Sequence, residues 1–433
     1  MLRYFIKYCN TSSVNGMFEC CLTNTAPMLT QLSGSQIPLG LSGPVLVDQH
    51  GLPRYWAAVW STAVTGALAE STHTKKLRYI ENLYQHADEL LGYGSLDDAL
   101  GTLDDSSLAQ ILESWFISIR NQARTSEADE TRWQVGLNFV TVIVSWIAKS
   151  DVHKAMQNIE IRLHQLSVLY SQFRVKKRNT PEMIRSLPAS TVEVLYHLLD
   201  PESKDNPFPR VQTRWRVYVA FILMLHQGLR RGEVLLLPVD AIKSQFDARL
   251  GRDRCWINVR ENDYESSSQD PRYSKPSIKT KDSIRQIPTS ETTARIIESY
   301  ASNYRGRPQH SFLLSSKSNF PLSTEALTKA FAQISNRLPA HVVKELEQRT
   351  GKTTITPHDL RHTCAVARLH QLLQHGDSMD EALQKMRTFF GWSRQSTMPS
   401  RYARAVFEDR LAGVWNNAFD DRVTLLRAIP KEH

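Results

Sequence analysis

The stretch Thr356-Pro357-His358-Asp359-Leu360-Arg361-His362-Thr363 joins a helix start to a cluster of basic side chains. Pro357 fits the first turn of a helix, because its missing N–H would have no intrahelical partner there. His358 and Arg361 then lie three residues apart, on one helical face. Such a pair can neutralise a phosphate and move a proton beside it. Taken alone, the stretch is also compatible with a helix cap, whereas the absence of HExxH or nearby cysteines argues against zinc.

Length and composition indicate a folded protein of more than one domain. A chain of 433 residues is too long for one ordinary core, so two or three domains are expected. The apolar content of 41% and the charged content of 22% are typical of a globular protein. The net charge is +9; residues 1–180 hold 16 Lys and Arg against 16 Asp and Glu, whereas residues 181–433 hold 37 against 28. This basic C-terminal part favours a polyanionic partner, most simply nucleic acid.

The cysteines and the apolar runs indicate a reduced, cytoplasmic setting. The five cysteines are scattered and none is spaced as CxxC, which predicts neither a disulfide framework nor a zinc site. No apolar run approaches the roughly 18 residues that span a bilayer, and the run from Met1 to Ile6 is too short for a signal sequence. We therefore expect a cytoplasmic protein with no membrane partner, for which Met17 and Met28 are alternative starts.

The N-terminal part of the chain predicts a short arm followed by a helical domain. Residues 1–54 are rich in Ser, Gly, Pro and Thr, with one strand-like run at 44–48, and predict an extended arm or a small cap. From residue 55 to residue 149 the apolar spacing is helical, with Ser95 as a predicted cap, and helix is expected again over 155–173. The pattern predicts a four-helix module of about 100 residues with Trp133 and Phe139 in its core.

A run of like charges follows the helical domain. Arg174, Lys176, Lys177 and Arg178 precede Pro181, which interrupts the pattern. Two interpretations stay open: a solvated helix end before a linker, or a basic strap against a phosphate backbone. The predicted division is an arm (1–54), a helical domain (55–173), a basic linker (174–181), a second domain (182–410) and a C-terminal tail (411–433).

The second domain alternates helices with a few strands. Residues 217–228 predict an apolar, buried helix that ends at Gly228. The other predicted elements are a strand at 256–259, a pair of strands at 277–279 and 285–288, and helices at 290–302 and 323–336.

Several residues of this domain have the chemistry to handle a phosphate. Arg230 follows Gly228, which lets the helix end and the backbone approach closely, so the guanidinium would be held ready for two phosphate oxygens. Lys279 and Lys281 lie beside the predicted turn, from which an ammonium can reach into a groove. Tyr402 is the only tyrosine after Tyr304, so this end of the domain holds no rival tyrosine nucleophile. Each residue alone would be ordinary.

Together these residues match a family. The boxes are Gly228-Leu229-Arg230-x-x-Glu233, Lys279-Thr280-Lys281 with Arg285 and Pro288, His358-x-x-Arg361-His362-Thr363, Gly391-Trp392 and Tyr402. In order and separation they resemble the tyrosine recombinases, the phage-integrase-like site-specific recombinases, over roughly residues 182–410. The helical domain with a basic linker behind it resembles the core-binding domain of that family. The resemblance implies a mainly α fold with a small β-sheet, in which this domain and a mixed α/β catalytic domain form a two-domain clamp on DNA.

The resemblance also implies a mechanism. Tyr402 would attack a DNA phosphate, leaving a 3′-phosphotyrosyl link and a free 5′-hydroxyl. Because the link keeps the phosphodiester energy, neither a metal nor another cofactor is implied. Arg230 and Arg361 would stabilise the pentacovalent transition state, and Lys279 would protonate the departing 5′-oxygen. His358 would assist proton removal from Tyr402 or bind a non-bridging oxygen.

Further residues receive roles by the same resemblance. Trp392 stands where many members have histidine, and it can donate one N–H to phosphate and pack under the site. Glu233 would support Arg230 or His358, with a purely structural salt bridge as the equal alternative. His362 is expected to pack or cap rather than act in catalysis.

Two assignments are choices between neighbours. Lys279 is favoured over Lys281 as the acid by its Lys-Thr context, and Arg230 over Arg231 because it directly follows Gly-Leu. The gap from Trp392 to Tyr402 is one residue longer than is commonest in the family.

The implied function is that of a site-specific DNA recombinase or integrase. Four protomers would exchange strands on two specific recombination sites through a Holliday junction, with accessory DNA-bending proteins as candidate partners. The basic run 174–178 and Lys281 would contact DNA, and the C-terminal tail would dock on a neighbouring protomer. The N-terminal arm and the basic charge favour an integrase of a mobile element. The alternatives are a type IB topoisomerase-like relaxase and a non-catalytic DNA-binding regulator; the separate helical domain argues against the first, and the complete residue set against the second.

Overall fold

The chain divides into two compact units, Met1–Asn179 and Thr180–His433, which are considered separately. The computed structural model describes residues 29–32, 43–64, 68, 70–122, 126–148, 161, 186–249, 251–265, 270–272, 275–278, 280–404 and 406. In this part of the chain, no helix is both long enough and apolar enough to cross a bilayer.

The first unit is helical, with one two-stranded antiparallel sheet. Strand β1 pairs with β2 so that Leu29 lies opposite Leu46. The elements are β1 (Leu29–Leu32), β2 (Gly43–Leu46), α1 (Tyr55–Val64), α2 (Glu70–Leu91), α3 (Ser95–Thr102), α4 (Asp105–Arg120) and α5 (Glu127–Ala148).

Aromatic side chains fill the core of the first unit. Trp60, Trp115 and Trp133 are fully buried. The ring of Trp133 packs edge-on against Phe116, with centroids 5.0 Å apart, and Trp115 Nε1 donates to Asn82 Oδ1 over 3.0 Å. Asn82 thereby satisfies the Trp115 N–H inside an apolar cluster, where an unpaired N–H would cost free energy.

The first unit differs from the sequence prediction in two details. The described residues contain five helices rather than four, because Tyr55–Val64 forms a helix of its own. Ser95 does not cap α3 but is its first residue; the cap is Gly94, whose φ of 80° suits glycine. The Ser95 hydroxyl instead donates to the carbonyl of Ala87 over 2.9 Å. The burial of Trp133 and Phe139 confirms their predicted place in the core.

The second unit contains eleven named α-helices and strands in its described residues, and its buried apolar side chains form two clusters. A 3₁₀ turn covers Lys281–Ser283, a π-helical turn covers Tyr300–Tyr304, and residues 398–404 are helical. The elements are α6 (Ala189–Leu199), α7 (Val211–Leu225), α8 (Arg231–Leu236), β3 (Ile242–Asp247), β4 (Arg252–Val259), β5 (Arg285–Thr289), α9 (Glu291–Ser299), α10 (Thr324–Ser335), α11 (Ala340–Thr350), α12 (Pro357–Gln374) and α13 (Met379–Phe390).

Helix α7 is the centre of this unit. Every residue from Val219 to Leu225 is buried, which is the pattern of a helix surrounded by other elements. Helix α12 packs against it and thereby brings the histidine–arginine stretch next to the end of α7. The helices and the small sheet confirm the mainly α part of the predicted fold class.

The three-stranded sheet corrects one prediction. Strand β5 pairs antiparallel with β4, so that Ile287 lies opposite Ile257, and both side chains are fully buried. Ser277 and Ile278 are not in a strand, so the predicted pairing of 277–279 with 285–288 is wrong. Strand β5 pairs with β4 rather than with residues 277–279, because β4 has an alternating apolar face that continues the core, whereas Ser277 is exposed.

Candidate active site

Two glycines allow three separate segments to meet at the ends of α7 and α13. Gly228 has a φ of 59°, and a Cβ there would lie 2.3 Å from Phe390 Cε1. Gly391 has a φ of 60°, and its Cβ would lie 2.8 Å from the carbonyl oxygen of Asp282. Both the backbone angle and the space therefore require glycine. The two close contacts place the Gly-Leu-Arg box, the 281–283 turn and the Gly-Trp box side by side.

A buried carboxylate lies at the centre of this junction. Glu233 is 2% exposed, and its oxygens contact three guanidinium groups. The distances are 2.5 Å to Arg230 Nη1, 3.1 Å to Arg285 Nη2 and 3.8 Å to Arg361 Nη1. Burial alone would raise the pKa of Glu233, but the positive charges of Arg285, Arg361 and Arg230 outweigh it and hold the pKa below its usual value. The carboxylate therefore stays ionised and fixes the three cations relative to one another.

Arg230 combines this anchoring with access to solvent. Its Nη1 also donates to Ser283 Oγ over 3.0 Å, and its Nη2 to the Gly391 carbonyl over 3.3 Å. The side chain is still 25% exposed, so part of the guanidinium faces outward. The neighbouring Arg231 is directed elsewhere, since its Nη1 donates to Thr328 Oγ1 over 2.8 Å. Of the two neighbours, Arg230 is the one that lies in the cluster.

Arg361 is held more deeply. It is 3% exposed and donates to the carbonyls of Gly228 and Phe390, the latter over 2.7 Å. Its guanidinium carbon lies 5.0 Å from the Phe390 ring centroid. Burial, and next the charge of Arg230, lower the pKa of Arg361 to about 9, which leaves it cationic at neutral pH.

The start of α12 positions Arg361 and both histidines. The backbone N–H of Thr356 donates to Asp359 Oδ2 over 2.8 Å, which is one half of a capping box. Lys352 Nζ lies 3.0 Å from Asp359 Oδ1, and the Thr363 hydroxyl accepts from the backbone N–H of Leu187 over 2.9 Å. These contacts fix the helix axis and therefore the direction of its side chains.

Arg285 is the third arginine in contact with Glu233, and no role was predicted for it from the sequence. Its Nε donates to the Phe389 carbonyl over 2.7 Å and its Nη1 to the Ser283 carbonyl over 2.6 Å. It therefore ties Glu233 to the turn and to the end of α13. Its signal in the sequence was its place two residues before the buried Ile287, on the inward side of the β5 alternation.

Tyr402 lies against a stack of aromatic rings. Its ring is stacked on Trp392, with centroids 5.4 Å apart and planes at 13°, and Trp392 is stacked on Phe390 at 4.8 Å. Tyr402 is 4% exposed. Burial raises the pKa of its phenol well above the usual value, and Arg361 opposes only part of this shift. The phenol is therefore protonated at neutral pH.

The two histidines of α12 are placed differently. His358 is exposed, and its ring meets that of His362 edge-on with centroids 4.3 Å apart. His362 Nδ1 lies 2.5 Å from the hydroxyl of Tyr402. The contact with Tyr402 differs from the expected packing or capping role of His362, and no motif spacing in the sequence revealed it.

The remaining predicted site residues are exposed or outside the described residues. Lys281 is exposed at the start of the 281–283 turn. Lys279 and the basic residues Arg174, Lys176, Lys177 and Arg178 lie outside the described residues, as does the tail 411–433. Among the described residues, no group of three or more His, Cys, Asp or Glu side chains could hold a metal ion.

Comparison with known proteins identifies a family for the second unit. Residues 187–409, more than half of the chain, match the phage integrase family. The crystal structure of XerA recombinase is 16% identical, covers 77% of this chain and 98% of that chain, and gives a TM-score of 0.31. The pre-cleavage complex of XerH site-specific recombinase bound to difH substrate is 12% identical, covers 79% and 96%, and gives a TM-score of 0.37. No curated protein matches the chain.

The matched range contains every motif of the second unit, from the Gly-Leu-Arg box to Tyr402. The chain belongs to the phage integrase family, which confirms its resemblance to the tyrosine recombinases.

Proposed function

We propose that this protein is a site-specific DNA recombinase that cleaves and rejoins DNA through a 3′-phosphotyrosyl intermediate. The main support is that Arg230, Arg361 and Tyr402, far apart in sequence, come together where α7, α12 and α13 meet. The Arg361 guanidinium carbon lies 5.9 Å from the centroid of the Trp392 ring on which Tyr402 is stacked, and Arg230 donates to the carbonyl of the preceding residue, Gly391. A nucleophile next to two fixed cations is what phosphoryl transfer without a metal requires.

In this proposal the two arginines divide the binding of the phosphate. Arg230 offers its exposed portion to the non-bridging oxygens, since Glu233 and Ser283 hold the rest of the group. Arg361 stabilises the phosphate as a buried positive charge, whose guanidinium is oriented by the carbonyl oxygens of Gly228 and Phe390. Such preorganised cations stabilise the charge that develops in the transition state without reorganising during the reaction.

Tyr402 would attack phosphorus, and Lys279 would give a proton to the departing 5′-oxygen. His358, which is exposed beside the site, would bind a non-bridging oxygen or assist proton removal. Trp392 would act mainly by packing, because its ring supports the tyrosine ring.

Membership of the same family supports a proposal for the larger assembly. We propose that the helical unit and the catalytic unit close on one duplex as a clamp, with Arg174, Lys176, Lys177, Arg178 and Lys281 on the phosphate backbone. Four protomers would act on two sites through a Holliday junction, with the tail 411–433 docked on a neighbour. A cytoplasmic, DNA-associated integrase that inserts or excises a mobile element is the role we propose.

Recombination of the DNA that flanks the coding sequence tests this function. Two plasmids that carry the flanking segments are incubated with the protein, and joined products are detected across the junction. We expect products from flanking segments only, with none in Tyr402→Phe. Relaxation of any supercoiled plasmid without joined products would instead indicate a topoisomerase.

A further inference from the structure

The side chain that contacts the attacking oxygen of Tyr402 is His362, the residue directly after Arg361. Its Nδ1 lies 2.5 Å from the Tyr402 hydroxyl, within hydrogen-bond reach. The ring centroids are 5.6 Å apart and the planes are at 48°, so the imidazole meets the phenol at the oxygen rather than across the ring face. A group in this position is adjacent to the one proton that the tyrosine must lose.

Two rigid supports fix this contact. Helix α12 is anchored at its start by Asp359 and, one residue after His362, by the Thr363 hydroxyl. On the other side, Trp392 is stacked on the tyrosine ring at 5.4 Å. The phenol is therefore held between the indole and α12 with its oxygen directed at the imidazole.

The environment of the phenol makes a proton acceptor necessary. Tyr402 is almost fully buried, and burial disfavours the phenolate even though Arg361, Arg401 and Arg230 oppose the effect. Attack by a protonated phenol on a phosphate is slow, so the proton must leave as the bond to phosphorus forms. A neutral imidazole is the side chain best matched to that transfer near neutral pH.

We propose that His362 is the general base for Tyr402, a catalytic role that rests on the proposed function. In the tautomer with its proton on Nε2, Nδ1 accepts the phenolic proton as Tyr402 Oη bonds to phosphorus and the bond from phosphorus to the 5′-oxygen breaks. The 5′-oxygen takes its proton from the acid, and His362 becomes an imidazolium that returns its proton to Tyr402 when the strand is rejoined. His358, one helical turn earlier and exposed, keeps its proposed role at the phosphate.

Two substitutions separate basicity from packing. His362→Asn places an amide near the position of Nδ1, so it can keep a hydrogen bond to the phenol but cannot take its proton. His362→Ala removes both. His370→Asn, on the exposed face of the same helix, is the matched control.

The assay is single-turnover formation of the covalent complex on a nicked duplex made from the flanking DNA. We expect His362→Asn and His362→Ala to slow cleavage on the order of 10²-fold or more, and His370→Asn to leave it unchanged. A more acidic phenol needs the base less, so 3,5-difluorotyrosine at position 402 should restore most of the rate in His362→Asn and change the parent little.

Other outcomes overturn the inference. Cleavage by His362→Asn at the rate of the parent would show that the imidazole is not the base, and faster cleavage would show that it restrains the tyrosine. A slow His362→Asn that difluorotyrosine does not rescue would leave only a positioning role. Failure of the proposed function is separate, since it would appear as a parent that forms no covalent complex at all, or as one that persists in Tyr402→Phe.

Discussion

Replacement of Glu233 by glutamine tests the electrostatic centre of the site. The variant keeps the shape of the side chain but removes the charge that faces Arg230 at 2.5 Å, Arg285 at 3.1 Å and Arg361 at 3.8 Å. The new amide N–H₂ group must also face a guanidinium donor. Removing one partner of a buried ion pair costs about 3–5 kcal/mol, because the charges left behind are no longer compensated. We expect the second unit to lose about that much stability.

The measurement is hydrogen exchange of α7 and α12 peptides across a urea series. With a denaturant slope of about 3 kcal/mol per molar, the midpoint should fall by roughly 1–1.7 M. Glu347→Gln, an exposed change of the same charge on α11, is the control and should leave the midpoint in place. A Glu233→Gln midpoint equal to that of the control would refute the account of the cluster.

The same variant has a pH signature. Because the pKa of Glu233 is lowered in the folded protein, its contribution is complete above the unfolded value of about 4.3 and is lost as the pH falls through the folded pKa. The stability difference between parent and Glu233→Gln should therefore shrink below about pH 4. A difference that stays constant down to pH 3 would contradict the lowered pKa.

Three further predictions concern the residues around this centre. Arg361→Lys should slow covalent-complex formation on the order of 10²–10³-fold, since an ammonium cannot bind two carbonyls and a phosphate in the same geometry; a rate within tenfold of the parent would be inconsistent with this. Gly228→Ala should lower the free energy of unfolding by about 1–3 kcal/mol in thermal melts, because its methyl group meets Phe390. Gly251→Ala, which has a similar φ but open space, shows the backbone cost alone, and an equal loss in both variants would exclude the clash. Trp392→Phe should cleave faster than Trp392→Ala, because only the phenyl ring preserves a stack on Tyr402; equal rates would mean that the stack does not matter.

The sequence was sufficient for the helical fold and for the ordered motifs. The all-apolar run of α7 and the helical spacing of the first unit depend on local periodicity, which a single sequence displays. The pairing of β5 with β4 could not be found in this way, because residues 260–284 separate the two strands in the sequence. The neighbouring segment 277–279 had a similar local pattern, and only the burial of Ile257 opposite Ile287 decides between them.

For the candidate site, too, the sequence identified residues but not the contacts between them. The boxes named Arg230, Arg361 and Tyr402, but their spacing carries no information on which side chain meets which. Glu233 contacts three arginines, one of which is Arg285, because α8, β5 and α12 meet in three dimensions. The contact of His362 with Tyr402 joins residues forty positions apart and depends on the direction of α12. Family resemblance directed attention to His358, whereas the geometry directs it to His362.

In the proposed mechanism Tyr402 becomes covalently joined to DNA. The most direct measurement uses a duplex from the flanking DNA, nicked beside the crossover so that the cleaved fragment diffuses away and the intermediate accumulates. After nuclease and protease digestion, mass spectrometry should find a nucleotide adduct on the peptide that contains Tyr402, and none in Tyr402→Phe. An adduct on another residue, or a covalent complex that persists in Tyr402→Phe, would contradict the account.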